Sequence, residues 1–193
     1  MKTITTVNVV VIVLAALAAV AVYSGAYNIA ADEPHWGVTE RVLALVRDRS
    51  IEARARELAL PDLRDEKRIG IGAGQYAEMC QTCHLAPGIQ DTELRQGLYP
   101  KPPDLARQRY DPRHAFWVIK HGIKATGMPA WGPTHGDETL WSVVAFLQKL
   151  PELDVKAYRD LVGKATPHDA MPAGGGAHER QHEHSSGSGT HRH

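Results

Sequence analysis

The sequence predicts an all-α protein in which an apolar N-terminal helix precedes a small helical domain. Three observations carry that prediction. From Thr3 to Ala31 there is no charged residue, and Val7 to Val22 is almost entirely Val, Ile, Leu and Ala. Further along, apolar residues return at helix spacing in several segments, and nothing upstream of the two cysteines alternates as a strand would. Proline- and glycine-containing stretches separate these segments and cannot continue a helix.

The chain has 193 residues, enough for one domain with extensions. A formal net charge of +0 and 43% hydrophobic residues fit neither a nucleic-acid binder nor a disordered protein. The distribution is uneven, and four regions follow from it: 1–31 an apolar anchor, 32–64 a charged helical spacer, 65–165 the helical domain, and 166–193 a His/Gly-rich tail.

The domain is organised around Cys80-Gln81-Thr82-Cys83-His84, which contains the only two cysteines of the chain. Two thiols three residues apart with a histidine directly after the second read as a c-type haem attachment site. Each thiol can form a thioether to one vinyl group, and His84 then reaches the iron. Other uses of the pair fit less well. A disulfide would close a very small loop with little entropic effect. A thioredoxin-like pair belongs where a strand enters a helix, and a zinc site wants four ligands.

The N-terminal run is long enough to cross a bilayer at 1.5 Å per residue. Lys2 precedes it and Asp32 and Glu33 follow it, so the positive-inside rule puts the N-terminus in the cytoplasm and the cysteines across the membrane. A cleaved signal peptide, with Ser24-Gly25-Ala26 as small residues, is the alternative; the long apolar run favours a retained anchor in the inner membrane. His35 and Trp36 suit interface anchoring. Beyond them Thr39 is a candidate N-cap, with Val42, Leu45 and Val46 at helix spacing, and a second run extends from Ile51 to Leu60 until Pro61 stops it. This region is either a spacer or a helical wrap on the domain.

The domain begins near Asp65. Gly72, Tyr76 and Cys80 fall on one helical face, the first two as packing positions. Pro87-Gly88 marks a turn, and Tyr99 to Leu105, rich in proline, offers free carbonyls, one of which can accept the Nδ1–H of His84. A short helix over Arg113 to Lys124 covers one haem edge and brings His114 and His121 near as candidate axial ligands. Met128 is the better candidate, because it sits in the loop Gly127-Met128-Pro129 and a thioether on iron suits an electron carrier; His121 is the fallback. Met79 is read as pointing elsewhere. Asp137 and Glu138 open a helix with Trp141 as a packing residue, which closes the core against the Gly72–Tyr76 helix; a shorter helix follows around Lys156 to Val162.

The tail carries His168, His178, His182, His184, His191 and His193 among glycine and serine. It is expected to be disordered. His178-Glu179-Arg180-Gln181-His182 matches the HExxH pattern, but its flanks do not support the buried helix a zinc peptidase needs. The tail histidines can still capture copper, nickel or zinc.

Between about Asp65 and Pro151 these motifs together resemble the class I c-type cytochromes, of the membrane-anchored, single-haem bacterial kind. The resemblance rests on Gly72 and Tyr76, on Cys80 to His84, on Pro103-Asp104-Leu105, on Gly127-Met128-Pro129 and on the helix with Trp141. It implies one covalent haem c held by Cys80 and Cys83, with His84 and Met128 as axial iron ligands. It also implies that Pro103 gives its carbonyl to His84. The expected function is a membrane-tethered periplasmic electron shuttle, not an enzyme, serving redox partners such as a respiratory complex or terminal oxidase. The tether raises its effective concentration near them. The alternatives are a metal-handling protein that uses the tail, or a haem-based sensor or peroxidase with an open sixth position.

Overall fold

The computed structural model describes residues 2–165, and every regular element among them is helical. In chain order these are α1 (Lys2–Tyr23), α2 (Gly37–Ala55), α3 (Glu66–Met79), α4 (Gln81–His84), α5 (Glu93–Gln96), α6 (Pro112–His121), α7 (Asp137–Lys149) and α8 (Val155–Gly163), with a 3-10 turn at Leu150–Glu152. The histidine-rich tail and its candidate metal ligands lie outside the described residues.

One helix, over Ile4–Tyr23, is long and apolar enough to cross a membrane, with a mean hydropathy of 2.5 and no part of it buried. Length and composition alone do not separate such a span from a signal sequence.

Helix α2 forms as one element where two shorter runs were expected. Arg47-Asp48-Arg49-Ser50 contains no breaker, so helix propagates through it. Thr39 lies inside the first turn, since the N-cap position is taken by Trp36, which makes no capping bond. The helix stops at Ala55, well before Pro61, where Leu58 N–H closes a tighter turn on Ala55 O at 3.1 Å and Leu58 packs against the core. Of the two arrangements open for this segment, its contacts are those of a wrap. Ala55 is fully buried, Glu52 Oε2 lies 2.9 Å from His114 Nε2, and Arg113 Nε donates to Leu58 O at 2.8 Å.

The core is the crossing of α3 and α7. Asp65 caps α3, its carboxylate accepting from Lys67 N–H at 2.9 Å. Two turns on, Gly72 meets the α7 backbone: a Cβ there would run into the Ser142 carbonyl oxygen and come within 2.9 Å of Phe146 Cβ. The helices can approach this closely only because position 72 carries no side chain. Around the contact Ala73, Tyr76, Leu140, Val144 and Phe146 are completely buried. Helix α6 closes the next side, with Phe116 stacked flat on Trp141 at 4.0 Å between ring centroids. That contact makes Trp141 a packing residue. Helix α8 covers α3 and α4, where Tyr158 donates to Gln81 Oε1 at 2.7 Å.

The crossing yields a paired prediction. Gly72→Ala forces the two helices apart and destabilises the domain by about 1–3 kcal/mol, the range for overpacking. Gly70→Ala, where an added Cβ meets nothing within 4 Å, is neutral or stabilising by about 0.5–1 kcal/mol. Denaturant midpoints of the two variants measure the contrast.

Candidate cofactor site

The cysteine pair stands on the short turn between two helices. Helix α3 ends at Met79, Cys80 N–H still bonds back to Tyr76 O at 2.9 Å, and Cys80 O then accepts from Cys83 N–H at 3.1 Å and His84 N–H at 2.9 Å. The single turn α4 therefore puts both cysteines and His84 around one wall. The two thiols are not joined to each other. Burial, with Cys83 beside it, pushes the Cys80 thiol up to about 12.

Three contacts hold the turn. Tyr76, at the centre of the core, donates its hydroxyl to Leu85 O at 2.5 Å. Leu105 N–H donates to His84 O at 3.1 Å. The His84 side chain lies with Nδ1 3.0 Å from the Pro103 carbonyl oxygen. A carbonyl only accepts, so that nitrogen carries the hydrogen and Nε2 keeps its lone pair. Burial of the ring holds the His84 pKa below the usual histidine range, with the Arg95 charge adding to it against the opposing bond to Pro103. The imidazole is thus neutral at pH 7 and fixed in one tautomer. Arg95 in turn anchors the proline segment, donating from Nε to Pro102 O at 3.0 Å.

The facing wall is the loop after α6. Gly122 ends that helix at φ +65°, a left-handed conformation that L side chains rarely adopt, and a Cβ there would lie 2.8 Å from Met128 O and Ala130 N. The loop is pinned beneath α6 by Ile123 N–H to Met128 O at 3.2 Å, Trp131 N–H to Ile119 O at 3.1 Å and Gly132 N–H to Lys120 O at 2.9 Å. Met128 is held half-buried, with its N–H on Thr126 Oγ1 at 3.1 Å.

Between these walls lies a cavity of about 880 Å³, and Cys80, Cys83, His84, Pro103 and Met128 all line it. Sequence reasoning missed several of its other residues. Met79 lines the cavity and does not point elsewhere, because the chain turns out of α3 right after it. Trp131, and Arg47, Arg49 and Glu52 of α2, line it as well. The α2 residues carry no local signal, since a charged helix reads the same whether it faces water or a cavity mouth. The histidine alternatives fall elsewhere. His121 is exposed and lies over the Trp117 ring at 4.9 Å, whereas His114 lines the mouth but is paired with Glu52. Among the described residues no group of three or more His, Cys, Asp and Glu side chains converges as a metal site.

Residues 68–147 match the family model described as cytochrome C oxidase, cbb3-type, subunit III. Over these residues the chain is similar to a c-type cytochrome domain. The match runs from α3 into α7, so it takes in the cysteine turn, the proline segment and the Met128 loop, and leaves out α1, α2 and α8. No curated protein and no solved structure matches the chain. A cytochrome domain implies covalently bound haem c, and the cavity suits it: two thiols on one turn open into an apolar space with a neutral imidazole and a thioether on its walls.

The Met128 loop of the cytochrome domain depends on the backbone at Gly122. Gly122→Ala is expected to lower stability by about 1–3 kcal/mol, through both the left-handed conformation and the crowding of Met128 O. Thermal unfolding of the variant beside wild type measures it.

Proposed function

We propose that the protein is a membrane-tethered carrier of single electrons, with haem c in the cavity between α4 and the Met128 loop. The observation that carries this reading is the convergence of Cys80, Cys83, His84 and Met128, far apart in sequence, on one apolar cavity. Bound haem would supply the one-electron iron couple. Cys80 and Cys83 would hold it covalently. His84 would offer Nε2 as an iron donor, its ring orientation set by the hydrogen bond to Pro103. Met128 would offer its thioether as a second donor, which would favour ferrous iron and a raised potential. Leu105, Val118 and Ile119 line the same space and exclude water, which also raises the potential.

With iron donors supplied by both His84 and Met128, the site would suit electron transfer better than substrate binding, which supports the role of a carrier and not an enzyme. Residues 1–31, which include helix α1, serve as the tether, and the charge order Lys2 before, Asp32 and Glu33 after, directs the cytochrome domain, residues 65–165, to the periplasm. The matched family model is named for a subunit of a terminal oxidase, which supports an oxidase complex as the redox partner.

Methionine ligation has a direct test. In Met128→Ala the oxidised holoprotein should lose its methionine–iron charge-transfer absorption, its midpoint potential should fall, and the reduced form should bind CO rapidly. An unchanged spectrum and slow CO binding would assign the sixth position to another residue.

A further inference from the structure

The cavity has two kinds of wall. Met79, Val118, Ile119, Ile123, Trp131 and Leu147 make the deep part apolar. The charged part is largely contributed by α2, with Arg47, Asp48, Arg49 and Glu52 at the mouth. Ile51 of the same helix lines the cavity too and Ala55 is buried, whereas Val42, Leu45 and Val46, nearer its start, are exposed. Where α2 borders the cavity it therefore supplies four charged side chains beside a single apolar one.

The other charged groups at the mouth have partners. Arg47 Nε meets Asp48 at 2.8 Å, Lys101 meets Asp91 at 2.6 Å, and Glu52 meets His114 at 2.9 Å. Asp111 caps α6, accepting from Arg113 N–H at 2.9 Å and His114 N–H at 3.1 Å. The Arg49 side chain makes no hydrogen bond or ion pair among the described residues. Haem is an apolar disc with two propionate carboxylates on one edge. Placed in this cavity, its carboxylates belong where the wall is polar and a cation is unpaired.

We infer that α2, which lies outside the segment that matches the cytochrome model, is part of the haem site, and that Arg49, with Arg47 beside it, is the counter-charge to a haem propionate. This rests on the proposed position of haem in the cavity. The region between tether and domain would then cover the propionate edge, leaving electron exchange to another face. Positive charge beside the cavity disfavours ferric haem, which carries one more positive charge than ferrous, so both arginines act as positioning residues that raise the potential.

The test uses full-length holoprotein and spectroelectrochemical titration. Arg49→Ala should lower the midpoint potential, and the double variant Arg47→Ala with Arg49→Ala should lower it further. Arg49→Lys should stay near wild type. Arg54→Ala, on the same helix but away from the cavity, should leave the potential unchanged. A double variant with the wild-type potential, or an equal fall in Arg54→Ala, would overturn the assignment to α2 while leaving the haem reading intact. Wild-type protein without covalently bound haem, read as a missing haem-stained band on a denaturing gel, would overturn both.

Discussion

Backbone contact between α3 and α7 at Gly72 is the constraint on which the rest of the domain depends. Because no side chain stands between the helices, Tyr76, one turn further along α3, sinks completely into the core beside Phe146. From there its hydroxyl reaches Leu85 O and ends the cysteine turn. The same crossing aligns Trp141 with Phe116 and so fixes how α6 sits. Both walls of the cavity are therefore set from one point. Burial pushes the Tyr76 phenol far above its ordinary range, so it remains a hydrogen-bond donor at any physiological pH.

The two walls differ in how they are held. The cysteine turn is helical: Cys80 O and Gln81 O are satisfied within it, while Thr82 O, His84 O and Leu85 O accept from Thr92, Leu105 and Tyr76. The Met128 loop has no regular structure and borrows its bonds from the C-terminal carbonyls of α6, among them Ile119 O and Lys120 O. Those carbonyls are the groups a helix end leaves open. The loop thus caps the helix, and the helix positions the loop. The Pro100–Pro103 segment acts on the opposite side, giving carbonyls at Pro102 to Arg95 and at Pro103 to His84. A stretch poor in N–H donors is suited to this use.

Helix α2 follows the apolar N-terminal helix and packs on α6, so the segment between that helix and the domain reaches the cavity. Tyr27 and His35, just after α1, extend that link: their side chains meet at 2.6 Å, and the His35 ring packs edge-on to Tyr99 at 5.1 Å, next to the proline segment. His35 and Trp36 thus contribute to packing at the domain edge as well as standing close to the end of the apolar helix.

By itself the sequence determined the helical class and the apolar N-terminal helix. Each is written in local terms: a run of apolar residues or a helix repeat. It also narrowed the search for a second wall to Met128, because a methionine among glycine and proline has no helical packing role. Tertiary structure decided what spacing cannot encode. It brought Pro103, of several free carbonyls, to Nδ1 of His84, turned His121 outward and Met79 inward, and folded α2 over the cavity mouth. Those outcomes depend on which surfaces meet once Gly72 lets α3 and α7 touch. A contact between residues distant in sequence leaves no periodicity in the chain to be read.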